Sequence, residues 1–138
     1  MTKIKKINYS QLNARQKENY NFHKIAQILA EYGYDCLRPN NDWKGADFLA
    51  YHDETGEVLK VQLKSRVTIG KKYMTKNIYM TFPINNEWYL IRHNDLLSIV
   101  QRNTPWLTSQ SWIEKGGYSS NGVSRLVISE LEKYLIKK

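Results

Sequence analysis

In the first third of the chain, apolar positions recur every three or four residues. Phe22, Ile25, Ala26, Leu29 and Tyr32 mark one face of a helix over Leu12–Tyr32, and Gly33 follows as its stop. Ser10 or Asn13 is placed to cap its start. Glu18 lies four residues before Phe22 and so falls on the side of Ile25 and Leu29, where a carboxylate needs an explanation.

After Gly33 the period changes. Tyr34–Arg38 and Ala46–Tyr51 read as strands separated by a polar stretch, Asn40–Gly45. Asp53–Gly56 has the Asp and Gly of a turn, and the segment Glu57–Ser65 beyond it alternates with period two, which predicts an antiparallel hairpin. Asn77–Phe82 and Glu87–Arg92 read as two more strands around the turn Pro83–Asn86. Asn94 or Asp95 is placed to cap a short helix over Leu96–Val100, whereas Thr104–Ser120 shows no clear period. Ser129 and Glu132 stand at capping-box spacing, so a closing helix is expected, with a start that can lie several residues earlier. The first eight residues read as a basic arm or a short edge strand. This order predicts an α/β domain, a central mixed sheet of four or five strands flanked by helices. No repeat or Pro/Gly-rich linker divides the 138 residues, which read as a single domain.

Charge sharpens the picture. The chain has 21 Lys and Arg against 13 Asp and Glu, a net +8. Between Val58 and Asn86 stand Lys60, Lys64, Arg66, Lys71, Lys72 and Lys76 with no acidic residue, so this segment carries most of the excess. Such a field attracts a polyanion; nucleic acid is the commonest, and an anionic membrane surface also fits. The single cysteine, Cys36, excludes an intrachain disulfide and a multi-cysteine zinc site, and suits a reducing, cytoplasmic setting. His23, His52 and His93 show no zinc-ligand spacing. No apolar run has the length of a membrane span, and no apolar stretch follows the basic N-terminus, so neither secretion nor membrane insertion is expected.

The hairpin carries the candidate chemistry. With Asp53–Gly56 as its loop, His52 pairs with Glu57 and the numbers of cross-strand partners sum to 109, which sets Asp47 opposite Gln62. Lys64 emerges on the same face, while Leu59, Val61 and Leu63 take the other. The oxygens of Asp47 and Gln62 suit Mg²⁺, for which Mn²⁺ can substitute, and Lys64 can stabilise charge on a phosphodiester undergoing hydrolysis. The plainer alternative is a cross-strand ion pair between Asp47 and Lys64 worth under about 1 kcal/mol, with Gln62 on a solvated face.

An Asp, a hairpin, then Glu or Gln, any residue and Lys resembles the signature of the PD-(D/E)XK nucleases. The matching residues are Asp47 and Gln62-Leu63-Lys64, and Glu18 is similar to the first-helix glutamate that completes the metal site in many members. Ala46 stands where many members have proline, and Gln62 where an acid is usual. The layout is also similar to that of archaeal Holliday junction resolvases, whose first helix opens with a basic segment and a glutamate like Arg15-Gln16-Lys17-Glu18, and to small restriction or homing nucleases. The resemblance spans Leu12 to Arg92. It implies a restriction-endonuclease-like fold with one Mg²⁺ held by Glu18, Asp47, Gln62 and the Leu63 backbone carbonyl, and Lys64 as a catalytic group. It implies a DNA endonuclease of restriction, junction-resolving or homing type, acting as a homodimer because one site cuts one strand. Lys44, Arg66, Lys71, Lys72, Tyr73 and Lys76 are expected on the nucleic-acid backbone, and Trp43 against an unpaired base. The competing reading is a nuclease-fold domain of weak or no activity that binds DNA or a protein, with Gln62 as its sign; an RNA substrate is a third.

Overall fold

The computed structural model describes residues 3–41 and 43–136. Helix α1 (Ala14–Ala30) opens on Asn13, whose side chain accepts the Gln16 N–H at 2.8 Å while the Gln16 side chain accepts the Asn13 N–H at 2.9 Å. This reciprocal box fixes the helix start. The chain leaves α1 through Gly33, at φ 89°, where a Cβ would come within 2.7 Å of His52 Nε2, so only glycine fits.

Eight strands follow among the described residues, six of them in the central sheet rather than four or five. They are β1 (Tyr34–Leu37), β2 (Phe48–His52), β3 (Val58–Leu63), β4 (Val67–Gly70), β5 (Tyr79–Ile84), β6 (Glu87–Arg92), β7 (Gly117–Ser120) and β8 (Leu135–Ile136). Six form one sheet in the order β1-β2-β3-β5-β6-β8, antiparallel except for the β3–β5 pair, while β4 and β7 form a separate two-stranded sheet. The three strands that the pattern missed are short and take partners far along the chain, Val67 with Ser120 and Ile136 with Trp88. Local periodicity carries no trace of such pairings.

The β2–β3 hairpin has the expected register. His52 N–H donates to the Glu57 carbonyl at 2.8 Å, and Tyr51, Ala50, Leu49 and Phe48 face Val58, Leu59, Lys60 and Val61. Asn85 and Asn86, at φ 51° and 65°, make the two-residue turn between β5 and β6.

Each sheet face buries its own cluster. On one side Ile25, Ile28 and Leu29 of α1 pack on Phe48, Ala50, Val61 and Trp88. On the other, Met80, Phe82 and Ile91 meet helix α2 (His93–Asn103) through Leu96 and Val100, and helix α3 (Arg125–Leu131) through Val127 and Leu131. Each buried Ile, Leu, Val, Phe or Met side chain among them contributes about 1.5–3 kcal/mol. The result is a mixed α/β architecture, a sheet between helices. Trp88, Trp106 and Trp112 are core residues, whereas Trp43 is 43% exposed.

One helix start differs from the sequence reading, and the other lies several residues upstream, as that reading allowed. α2 begins at His93 without a side-chain cap, because Asn94 is engaged elsewhere, donating to the Met74 carbonyl at 2.9 Å and meeting His93 Nδ1 at 3.0 Å. α3 begins earlier than Ser129, capped by Ser124, and Glu132 opens a further 3₁₀ turn. Thr104–Ser120 resolves into short turns, Trp106–Thr108 and Ser111–Lys115, before β7. Residues 3–8 are exposed and form no regular element.

His93 is 1% exposed, and its Nε2 accepts the Gly70 N–H at 3.0 Å, so the neutral ring with Nδ1 protonated ties β4 to the start of α2. Burial holds its pKa below the usual histidine value. The unfolded chain then takes up a proton that the fold does not, so stability falls as pH drops below about 6.5. Thermal melting from pH 8 to 5.5 should show this loss in the wild-type protein and a flatter profile for His93→Gln, whatever its absolute stability. Parallel profiles would mean that His93 is not the titrating group.

Candidate active site

The site is made where β2 stops pairing with β3. Trp43–Ala46 is a tight turn closed by the Ala46 N–H on the Trp43 carbonyl at 3.1 Å, with Lys44 and Gly45 at φ 54° and 85°. Positive φ at both central positions is the type I′ pattern. The ladder ends at Phe48 opposite Val61, yet the Asp47 N–H also donates to the Val61 carbonyl, at 2.8 Å. Two residues of one strand are thus matched to one of the other, the arrangement of a β-bulge, which re-aims a side chain. Asp47 therefore does not continue the ladder opposite Gln62. Its Oδ2 instead accepts the Leu63 N–H at 2.9 Å. The Lys64 N–H is turned the other way, to the Thr81 carbonyl of β5 at 2.9 Å, so the trans peptide directs the Leu63 carbonyl to the Asp47 side.

Gln62 is 9% exposed, and its Nε2 donates to the Gly45 carbonyl. The amide thereby pins the turn that delivers Asp47, and its Oε1 remains an acceptor. An ionised acid has no proton to give Gly45. A neutral residue at this position is what the turn requires.

These groups line one cavity of about 440 Å³, and α1 supplies its opposite wall. Glu18, Asp47, Gln62, Leu63 and Lys64 all border it, together with Lys17, Asn21 and Tyr9. Glu18 is explained by this position: the apolar stripe of α1 ends at Phe22, and one turn earlier the helix overhangs the cavity, leaving Glu18 exposed. Asn21 donates to Tyr9 Oη at 3.0 Å, which fixes the 3₁₀ turn Tyr9–Gln11 at the rim.

Asp47 remains in contact with solvent, but the cavity walls remove part of its hydration. That desolvation raises its pKa, with Glu18 facing it adding to the rise; the Leu63 N–H, Lys64 and Arg38 act in the opposite sense. A second carboxylate facing Asp47 across the cavity makes an electrostatic environment suited to a cation. Among the described residues there is no group of three or more His, Cys, Asp or Glu side chains able to hold a metal, so amide and backbone oxygens would have to complete any shell. Arg38 was not marked by any motif. It follows β1, stacks 4.2 Å from the Phe22 ring centroid, donates to Asn19 Oδ1 at 2.6 Å and lies 3.9 Å from Glu18 Oε1.

The residues expected on nucleic acid are dispersed. Trp43 and Lys44 are exposed on the turn above Asp47, with Lys44 Nζ 5.0 Å from the Trp43 ring centroid. Lys76 lies beside Gly45. Arg66 borders a separate hollow with Asn85 and Asn121. Lys71 and Lys72 border a groove that also includes Lys64, and Lys115, which the sequence reading left unassigned, joins them there. Tyr73 is 3% exposed, with its ring 5.4 Å from His93, so it forms the floor of that groove rather than a stacking surface.

No family model matches the chain, and no curated protein matches it in sequence. Among solved structures it is similar to a bacterial homing endonuclease, at 13% identity and a TM-score of 0.48 over 89% of this chain and 86% of that one. At this level the likeness says nothing of the chemistry of the site.

Proposed function

We propose that this domain is a metal-dependent DNA endonuclease of the PD-(D/E)XK type. The observation that carries the reading is the convergence of Glu18, Asp47, Gln62, Leu63 and Lys64 on one cavity, from α1 and from both strands of the hairpin. Glu18, Asp47, the Gln62 Oε1 and the Leu63 carbonyl form a set of hard oxygen donors that would hold Mg²⁺ or Mn²⁺. Such an ion supplies Lewis-acid polarisation of the phosphodiester and lowers the pKa of water.

The chain's own groups do the rest. Asp47 is held by the Leu63 N–H, so its second oxygen is presented without a search among rotamers. Lys64 places a cation on the cavity wall, where it stabilises the charge that grows on the phosphoryl oxygens as water attacks and the leaving oxygen departs. Lys17 adds positive potential from the opposite wall, and Arg38 restrains Glu18. One such site cuts one strand, and a homodimer would cut two. The alternative, a DNA-binding domain without hydrolysis, draws on the neutral Gln62 and on there being two carboxylates, among the described residues, that line the cavity.

Incubation of supercoiled, linear and four-way-junction DNA with Mg²⁺ or Mn²⁺ tests the reading. Cleavage is expected, with Asp47→Ala and Lys64→Ala each losing on the order of 10²-fold or more. Cleavage that survives both substitutions would remove the site assignment, and salt-sensitive binding without any cleavage would favour the alternative.

Asp47→Asn separates function from stability. A raised carboxyl pKa in the fold favours the neutral form, so this group's contribution to stability is present at low pH and lost as pH rises from the unfolded value through the folded one. The neutral amide of Asn avoids the cost of placing a carboxylate where its hydration is reduced, and it retains the acceptor for the Leu63 N–H. The variant should lose cleavage with a Tm equal to or a few degrees above the wild type (~3 °C); a clearly lower Tm would make Asp47 a structural residue.

Gln62→Glu should not restore a stronger site. The Gly45 carbonyl loses its donor, at a cost of about 1–3 kcal/mol, and the turn that delivers Asp47 loosens. Melting and cleavage should both decline. Faster cleavage at unchanged Tm would show Gln62 to be only a weakened ligand.

A further inference from the structure

A second concavity of about 420 Å³ adjoins the candidate active site, and Lys64 belongs to both. Its walls come from the small β4–β7 sheet and from the turns Lys71–Tyr73 and Ser111–Lys115. The Lys71 N–H, donating to the Gly116 carbonyl at 2.7 Å, joins the first turn to the end of the second, and the Ser111 hydroxyl, donating to the Gly117 carbonyl at 2.6 Å, ties the second to β7. Four lysines border the groove, Lys64, Lys71, Lys72 and Lys115, and among the described residues no acidic side chain does. The ion pairs found among the described residues, Arg38–Glu18 and Arg102–Glu130, involve none of them.

The cations are also restrained. Lys71 Nζ stands 5.5 Å from the Trp112 ring centroid and Lys72 Nζ 5.2 Å from that of Tyr73, both rings being buried. A lysine stem resting on a fixed ring loses less side-chain freedom when its head group meets an anion. The groove thus combines uncompensated positive charge, restrained head groups and continuity with the place where a phosphodiester would be cut.

We propose that this groove is a phosphate-binding subsite through which the DNA backbone runs on leaving the candidate active site, with Lys71, Lys72 and Lys115 each meeting a phosphate and Lys64 joining the two sites. This deepens the endonuclease reading and rests on it for the continuation of one strand across both concavities. The local pattern gives no sign of β4, β7 or a role for Lys115, because the groove is made by the C-terminal part of the chain folding back over the basic segment.

The test is binding of a short duplex oligonucleotide of arbitrary sequence to the full chain, without divalent metal, over a range of salt concentrations. Lys71→Gln/Lys72→Gln/Lys115→Gln should weaken binding about 10²-fold near 0.1 M salt and reduce the slope of log K against log salt by about 2 to 3, since each phosphate contact contributes about 0.9. Arginine at the same three positions should restore both. A control, Lys24→Gln/Arg125→Gln/Lys133→Gln, removes equal charge from outside the groove and should change the slope by less than about one contact. Equal losses in the two triple variants, or no loss in the first, would overturn the subsite. The readings fail separately: groove-dependent binding by a protein that never cleaves removes the nuclease and keeps a polyanion groove, whereas Asp47-dependent cleavage with groove-independent binding removes the groove and keeps the nuclease.

Discussion

The hydrogen bond from the Leu63 N–H to the Asp47 carboxylate is the constraint on which the site depends. β3 continues past the point where β2 can follow it, and a backbone donor at that point needs an acceptor that the neighbouring strand no longer supplies. Asp47 supplies it from its side chain. One interaction therefore satisfies the sheet edge, orients the carboxylate and leaves the Leu63 carbonyl on the same side. The Gln62 amide, bonded to Gly45, holds the preceding turn so that the chain cannot straighten and resume the ladder.

The consequences extend to the rest of the fold. The β2–β3 hairpin packs its inner face on α1 through Phe48, Ala50 and Val61, which brings the first turns of that helix over the divergence and sets Glu18 against Asp47. On the other side β3 leads through Lys64 into β4, and β7 returns from the C-terminal region to pair with it. Lys64 is consequently shared between the cavity that holds the two carboxylates and the basic groove. The arrangement places a carboxyl group whose pKa is raised by lost hydration beside the positive charge that offsets part of that rise. Strain and unfavourable charge concentrated at one sheet edge are common where a site has been built for a ligand.

Much of this was legible from residues alone because it is local. Apolar spacing located α1, and Asn13 at its start proved to be the cap. The hairpin register followed from the loop Asp53–Gly56, and period two identified the central strands. The bulge was not legible: neither Ala46 nor Asp47 carries a glycine-like signal, and the slip arises from the turn Trp43–Ala46 and its bond to Gln62, which becomes apparent only in three dimensions. The same holds for β4 and β7, short segments whose partners lie far along the chain, and for Arg38, whose place beside Glu18 depends on the packing of β1 against α1. Asn94 looked like a cap, but hydrogen bonds to His93 and Met74 claim its side chain.

The proposed chemistry requires that Asp47, at the end of β2, form a cation site and not merely a satisfied strand end. Anomalous diffraction from crystals of the protein soaked in Mn²⁺ tests it most directly. The account predicts a peak about 2.0–2.2 Å from the Asp47 carboxylate and the Leu63 carbonyl, the distance of small hard cations to oxygen, with Glu18 or Gln62 in the shell directly or through water. Mn²⁺ bound only elsewhere, with Asp47 left on the Leu63 N–H alone, would contradict it.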